Sequence, residues 1–576
     1  MLAQPLLVAA IDFGTTYSGW AFSFAHDYKT DRRKADISYW YSGTGSLATQ
    51  KTPTCILIRP DGKTVEAFGY EAEDMYEDKH GRGEGQDYYF FKHFKMKLHQ
   101  KLTKKIDLQM TLEDESKKTL PAIQVFALAI KYLKENLLER VKDTQLDDIE
   151  SDISWILTVP AIWRDEAKQF MKEAAEQAGI PKERQTIALE PEAASVFCYE
   201  LPVEKTVGRR ALSRLQVGDR YMIIDAGGGT IDITVHEVAP HGGLKEVAAA
   251  SGGGWGGTMV DRAYEEFLGK LFGPDLYTKF KDTFKEDYLD FLRAFEVKKR
   301  HIKPNGEIRI EMPRNLVELF ENDRKTTLKT FLDKSENSDK VRLVGGDKIQ
   351  CSSDTVAMLF QESVQKTVNH VKDLQQNISN LKAILMVGGY SENQLLQGAI
   401  KSAFPNLNVV IPIEPQSAIL RGALMYGHNP SVLTERVLKY TYGTNILIPF
   451  DPRIHPLSKK IYTDAGERCG QIFSKLVEKD QNIKTGQLVS NTFYPVNRSQ
   501  RKLGFPVYVS EEKNPVYTEN CHCIGSLTIQ IPNPNPKTNL ERAFTVSMCF
   551  GGTEIEMQAK DDMTGKKVEV NLNFLG

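Results

Sequence analysis

Ile11-Asp12-Phe13-Gly14-Thr15-Thr16-Tyr17 and Ile224-Asp225-Ala226-Gly227-Gly228-Gly229-Thr230-Ile231-Asp232 repeat one design on opposite sides of the chain. In each, apolar residues lead into an aspartate, then come a glycine turn, a threonine and more strand-forming residues. Glycine admits turn conformations closed to other residues and lets backbone N–H groups approach phosphate oxygens. Threonine adds a hydroxyl donor at the same place. An aspartate at a strand end orients water around Mg²⁺, which keeps several waters while bridging carboxylate and phosphate. One such segment equally describes a tight hairpin, with glycine for positive φ and threonine for strand propensity. Two copies with the same Asp-x-Gly-x-Thr logic point to phosphate-gripping hairpins built by internal duplication. The expected ligand is ATP or ADP with Mg²⁺, in a cleft between two related lobes. Neither segment carries G-x-x-x-x-G-K-[ST] or G-x-G-x-x-G, so the Walker and Rossmann grips do not apply.

Outward from these segments, Leu6 to Ile11 reads as a buried strand and Tyr17 to Phe24 continues it after the turn. Ile123, Phe126, Ala127, Ile130, Leu133 and Leu137 recur at helical spacing behind Pro121, which suits a first-turn position. Ile153 to Val159 is another buried strand, closed by Pro160. Ala167, Phe170, Met171, Ala174, Ala175 and Ala178 then share a helix face, with Gly179 as the stop. Ala383 to Val387 is a short apolar strand entering Gly388-Gly389. Strand, helix and glycine-loop alternation of this kind predicts an α/β architecture. The texture changes after Asn429-Pro430. Alternating runs at Ile446-Leu447-Ile448, Leu527 to Ile531, Phe544 to Phe550, Ile555 to Met557 and Val568 to Phe574 are parted by turn residues such as Asn533-Pro534-Asn535-Pro536. They predict an all-β sandwich. Stretches 26–50, 76–88 and 201–220 read as surface insertions without chemistry.

A chain of 576 residues exceeds one domain, and its length suggests about four folding units. Hydrophobic residues make up 41% and charged residues 26%, and the net charge of −2 argues against a generally basic surface for nucleic acid. Arg209-Arg210 and Lys298-Lys299-Arg300 are local basic clusters only. Seven scattered cysteines, an odd number, fit a reducing compartment better than a disulfide scaffold. Cys521-His522-Cys523 has no second ligand pair nearby at zinc spacing. Met1 to Ala10 lacks a basic start, and a cleaved leader would remove the strand that the first loop needs. No apolar run approaches the length of about 18 residues that a membrane span needs. The expectation is a cytoplasmic protein with no membrane span and no nucleic-acid partner.

Ile11 to Ser18, Thr158-Val159-Pro160-Ala161, Leu189-Glu190-Pro191-Glu192-Ala193-Ala194 and Asp225 to Asp232 closely resemble, in order and spacing, the seventy-kilodalton heat-shock chaperone family. Ile384-Leu385-Met386-Val387-Gly388-Gly389-Tyr390-Ser391 is similar to its adenosine-contacting loop. Phe94-Lys95-Met96-Lys97-Leu98 and Trp155 to Trp163 look most like the divergent "member 12" branch. The resemblance covers residues 5–430 well and the β-rich tail loosely. It implies an actin-like (ribonuclease-H-like) two-lobed ATPase domain over 1–430, a linker at 431–440, and a sandwich-like substrate or partner domain over 441–576. It also implies roles. Asp12 and Asp225 would organise the metal shell through water, with Thr15, Thr16, Gly227, Gly228, Gly229 and Thr230 on the phosphates and Gly14 and Tyr17 also binding the nucleotide. Glu190 and Asp232 would help position the attacking water. Lys95 is the best match for the family's lysine at the γ-phosphate, with Lys92 its competitor. Gly388, Gly389 and Tyr390 would approach the nucleoside, and Glu296, Lys299 and Arg300 would pack on the adenosine, unless that trio is an exposed helix face.

The departures bear on function. Gly256-Gly257-Thr258-Met259 stands where the family has two acids after Gly-Gly. Glu392 replaces an arginine of the adenosine loop, and Gln416 an aspartate after the next proline. Lys168 replaces an arginine near the coupling proline, Pro160. Val432 to Leu438 replaces the acidic, leucine-rich linker, and a helical lid and acidic tail are not evident. The leading expectation is an atypical ATP-binding chaperone-like protein of the stress-response type. It would hydrolyse ATP slowly with Mg²⁺ and hold extended peptides through a lidless β domain. A nucleotide-sensing scaffold with little turnover is the alternative, and a small-molecule kinase of the same superfamily is a third.

Overall fold

A computed structural model of the chain describes residues 5–41, 48–99, 106–142, 149–201, 206–207, 215–335, 338–531, 534–568, 570–573 and 575. Arg209-Arg210, most of the 201–220 stretch, Asn533 and Phe574 lie outside them. Strand Leu7–Phe13 is buried along its whole length and turns back antiparallel on Tyr17–Phe24. On its other side it runs parallel to Ile153–Val159, and Gln185–Leu189 continues that ladder. Strand Arg220–Ala226 repeats the arrangement. It pairs antiparallel with Ile231–Val238 and parallel with Leu381–Val387, which Asn408–Pro412 follows. An antiparallel outer strand completes each unit, Asp36–Ile37 in the first and Leu244–Gly253 in the second. The two sheets are therefore one topology used twice. Parallel strands covered by helices on both faces need uninterrupted apolar sequence, which these central strands supply.

Two helices seal the halves together. Glu190–Tyr199 and Ala418–His428 place Ala193, Ala194, Val196, Leu420 and Ala423 in one apolar cluster with Val8 and Ile156 of the first sheet and Ile223 and Leu385 of the second. Helices Ala122–Lys142 and Asp165–Gln177 cover the far face of the first sheet, with Phe126, Leu133, Phe170 and Ala174 in its core. A helical outgrowth of the second half includes Lys285–Arg300, whose last turn carries Lys299 and Arg300.

The tail holds two antiparallel sheets around one apolar core. Tyr442, Val507 and Ile529 belong to the larger sheet, and Val546, Met548 and Ala559 to the smaller. Three expectations need correction. Residues 76–81 are the end of helix Tyr70–Gly81, not an insertion, because Tyr76 packs face to face on Phe90 at 4.2 Å. The 26–50 stretch carries a short helix, Ala25–Thr30, and strands Asp36–Ile37, Trp40–Tyr41 and Ala48–Thr49. The segment read as a linker contains a true strand, Leu433–Val437, which joins the second-lobe sheet. It runs parallel to Leu244–Gly253 and pairs on its other edge with Asn482–Lys484 of the tail. Leu575 is buried with the first-lobe core.

Candidate functional site

The two glycine-rich turns meet across a cleft of about 900 Å³. Its wall is formed by Asp12, Gly14, Thr15, Thr16 and Tyr17 from the first turn and by Asp225, Gly227, Gly228, Gly229 and Thr230 from the second. Lys95, Glu190, Glu296, Lys299, Arg300, Gly388, Gly389 and Tyr390 line the same cleft. The turns approach so closely that a Cβ on Gly228 would lie 2.1 Å from Thr16 Oγ1. Gly388 has φ +84, and a Cβ there would lie 2.5 Å from Asp225 Oδ1. Both positions require glycine for space, and Gly388 also for its backbone.

Asp232 is the expected site residue that does not face the cleft. It stands behind it, opposite Asp225 in the hairpin register, and accepts the Ile162 N–H at 3.0 Å. This ties the second hairpin to the loop after Pro160, which itself lines the cleft. The lysine question resolves by geometry. Lys95 Nζ reaches Glu190 Oε1 at 2.8 Å, whereas Lys92 pairs with Glu73 at 2.8 Å, away from the cleft wall. The trio on the helix is not a solvated face. Arg300 binds Glu296 at 2.9 Å and lies 4.2 Å from the Tyr17 ring centroid, a cation–π contact that joins the two halves. Lys299 reaches both oxygens of Asp261 at 2.5 Å.

Sequence reasoning missed Lys51. It follows directly on the 26–50 stretch read as an insertion, yet it lines the cleft and its ammonium group contacts Asp12 Oδ2. Its only sequence signal is a cation beside Thr52-Pro53-Thr54, which is not distinctive. The departures noted above also acquire partners. Gln416 Nε2 donates to Glu392 Oε1 at 3.0 Å, so the two replaced residues engage each other. Gly256, Gly257 and Thr258 N–H groups donate to the carbonyls of Gly229, Gly227 and Gly228 at 3.3, 3.1 and 2.8 Å, holding the second turn from behind.

Four buried carboxyl groups crowd this end of the cleft, and their environments push them apart. Burial alone would raise Asp12, but the ammonium groups of Lys51 and Lys95 outweigh it and hold the group below its usual range. Burial raises Asp225 well above its usual range, and Glu190, Asp232 and Asp12 add to the effect. Burial also lifts Asp232, against the Ile162 N–H and Thr230. Glu190 is pushed up to about 7 by burial, against Lys95. On the side of the cleft formed by helix Lys285–Arg300, Glu296 goes the other way, to about 2, because Lys299 and Arg300 overcome its burial.

These residues fit a hydrated divalent cation. Asp225 Oδ1 and Asp232 Oδ2 are buried without a hydrogen-bond partner, and water around a cation would supply one. Among the described residues no group of three or more His, Cys, Asp or Glu could hold a metal ion by itself. A cation here would therefore depend on water and phosphate oxygens for most of its shell.

Behind the cleft, a second space of about 820 Å³ separates the lobes from the tail. Arg436, on the linker strand, makes two hydrogen bonds to Glu192 at 2.8 and 2.6 Å and one to the Gly551 carbonyl at 2.7 Å. Glu246 accepts the Val437 N–H at 2.9 Å. Tyr442 donates to Asp165 at 3.3 Å, and Lys172 pairs with Glu554 at 3.0 Å. Lys168, the expected coupling cation, lines this space and pairs with Asp165 at 3.2 Å. Glu192 and the cleft residue Glu190 sit two positions apart on one helix, so a single element touches both the phosphate end and the linker strand.

The Hsp70 protein family aligns with residues 79–574, which take in the second turn and the strand-docked tail. The chain belongs to the Hsp70 family. It is similar to human heat shock 70 kDa protein 12B, at 32% identity over 632 aligned residues covering 99% of this chain and 91% of that protein. Mouse and human heat shock 70 kDa protein 12A are each 33% identical over 629 aligned residues, covering 99% of this chain and 92% of theirs. The family and the divergent 12-like branch read from the motifs both hold. This is an Hsp70-like ATP-binding protein. Among the described residues no helix is long and apolar enough to cross a membrane.

Proposed function

We propose that the chain binds ATP and ADP between the twin turns, hydrolyses ATP slowly, and couples the nucleotide state to its β-rich tail. In this reading residues 1–430 form an actin-like, ribonuclease-H-like ATPase domain. Residues 431–440 connect it to a sandwich-like domain over 441–576 that takes extended peptide segments or partner proteins. One observation carries the proposal: two duplicated glycine hairpins bring Asp12 and Asp225, with Lys95 and Glu190, onto one cleft wall.

Phosphoryl transfer to water needs positioning and charge neutralisation more than covalent help. Backbone N–H groups of Gly14 to Thr16 and Gly228 to Thr230, with the threonine hydroxyls, hold the phosphate oxygens. Asp12 and Asp225 would hold Mg²⁺ through water, and the ion would supply neutralisation of phosphate charge. Lys95, anchored by Glu190, faces the terminal phosphate. Glu190, with its carboxyl near neutrality, is suited to accept a proton from the attacking water. Asp232 keeps the Pro160 loop against the second hairpin. Arg300 and Tyr17 close on the nucleoside, with Tyr390 and Gly389 beneath. The helix that carries Glu190 and Glu192 transmits lobe rotation to the linker strand, and nucleotide biases the tail only through its different affinity for the two arrangements.

Calorimetric titration with ATP and ADP in Mg²⁺ tests the binding, and single-turnover hydrolysis tests the chemistry. Absence of nucleotide binding refutes the proposal. Peptide affinity measured in both nucleotide states separates a coupled chaperone from a scaffold. The scaffold reading is favoured by the buried Arg436–Glu192 contact, which holds the tail against the lobes. Equal peptide affinity in ATP and ADP would establish it.

A further inference from the structure

Lys51 projects into the cleft from a segment fastened to the first turn. The Thr54 N–H donates to the Thr16 carbonyl at 2.8 Å, and Thr54 Oγ1 donates to the Gly14 carbonyl at 2.8 Å. Thr52 and Pro53 pair with Ser18 and Tyr17, and Ser38 Oγ holds the Gln50 carbonyl at 2.9 Å. The Lys51 backbone therefore cannot leave the phosphate end, while its four-carbon stem lets the ammonium swing within it.

In the structure that ammonium contacts Asp12 Oδ2, and Thr158 Oγ1 donates to Oδ1 at 2.8 Å. Both oxygens of Asp12 are thus engaged by protein donors, while Asp225 keeps Oδ1 unpartnered. The twin aspartates have diverged: one is answered by a cation of the chain itself. Lys51 is 8% exposed, so its charge acts from inside the cleft wall, and little solvent screens it. The cleft consequently carries two buried ammonium groups at its phosphate end, Lys51 and Lys95, on opposite partners, Asp12 and Glu190.

We propose that Lys51 is a resident counter-cation for the phosphate chain, so that this protein binds ATP and ADP without a divalent metal, although turnover still draws on one. The inference rests on the nucleotide-binding reading above. When nucleotide enters, the ammonium moves from Asp12 to a phosphate oxygen, exchanging one charge-assisted hydrogen bond for another. In the same motion Asp12 is released to receive a hydrated cation.

The test is ATP and ADP affinity by calorimetry, in Mg²⁺ and in EDTA, for the intact chain and for Lys51→Met and Lys51→Arg. For the unaltered chain and Lys51→Arg, EDTA should weaken binding by less than about tenfold. For Lys51→Met it should weaken binding by a further ~10–100-fold, the worth of one hydrogen bond between charged groups. Should Lys51→Met fail to fold, the unaltered chain in EDTA still decides: loss of binding beyond detection overturns the proposal. Equal metal dependence in all three proteins overturns it too, and leaves nucleotide binding in Mg²⁺ standing. If no protein binds nucleotide under either condition, the nucleotide reading itself fails, and this inference with it.

Discussion

Replacing Arg436 by methionine should release the tail without unfolding the lobes. Its guanidinium and Glu192 are both almost wholly buried, at 7% and 3% side-chain exposure, and they are joined by two hydrogen bonds. Removing one partner of such a pair leaves the other charged and dry, a loss of about 3–5 kcal/mol. The position of these groups decides where that loss falls. Glu192 belongs to a lobe helix, Arg436 to the linker strand, and Gly551, the third partner, to the tail. Undocking lets water reach Glu192, so the penalty applies to the docked state alone. Docking should weaken by a factor of about 100–1,000 or more. Hydrogen exchange over 433–435 and 244–245 reads this directly, since the ladder that joins these two segments exists only when the strand is docked on the lobes. Arg436→Met with Glu192→Met should recover much of the loss, because two apolar side chains leave no orphaned charge. Exchange in these segments unchanged within about threefold in Arg436→Met would refute the reasoning, as would strictly additive losses in the double variant.

Asp225→Asn should weaken the Mg²⁺ affinity of the ADP-loaded protein by about 10–100-fold, measured as a shifted metal titration, because one anchor of the water shell is neutralised. Gly228→Ala should abolish tight nucleotide binding while the melting temperature falls only modestly, since the added methyl collides with Thr16 across the cleft. Gln416→Ala should selectively weaken adenosine nucleotides relative to inorganic phosphates, because it removes the side-chain donor to Glu392 near Arg300. Docking of the linker strand should weaken as pH rises. Burial, with Glu192 adding to it and Val437 N–H, Arg436 and Lys168 opposing, pushes the Glu246 carboxyl up to about 8. The folded state then keeps a proton that the unfolded chain gives up, so this contribution is fully present below about pH 4.5 and is lost as pH rises through about 8. Glu246→Gln should flatten that profile in exchange or denaturation measurements.

Much of the cleft was legible because its chemistry is local. An aspartate, a glycine turn and a threonine lie within a few residues of one another, and their meaning does not depend on what they later touch. The two hairpins and the strand at Ile153–Val159 lie where the apolar runs placed them. Local pattern was less informative at residues 76–81, where a polar-looking stretch is helical because Tyr76 has Phe90 to pack against. It was least informative at the linker, whose apolar and charged residues form a strand only because a sheet edge stands open beside them.

From sequence alone, then, came the duplication, the family and most of the residues that line the cleft at the twin turns, since each rests on short-range order along the chain. Tertiary structure alone decided that Lys51 answers Asp12, that Glu392 answers Gln416, and that Arg436 locks the tail to Glu192. Those pairs are separated by 39, 24 and 244 positions. A charge buried far from its partner in sequence has no local signature, because its cost is met only once the fold has excluded water around both groups.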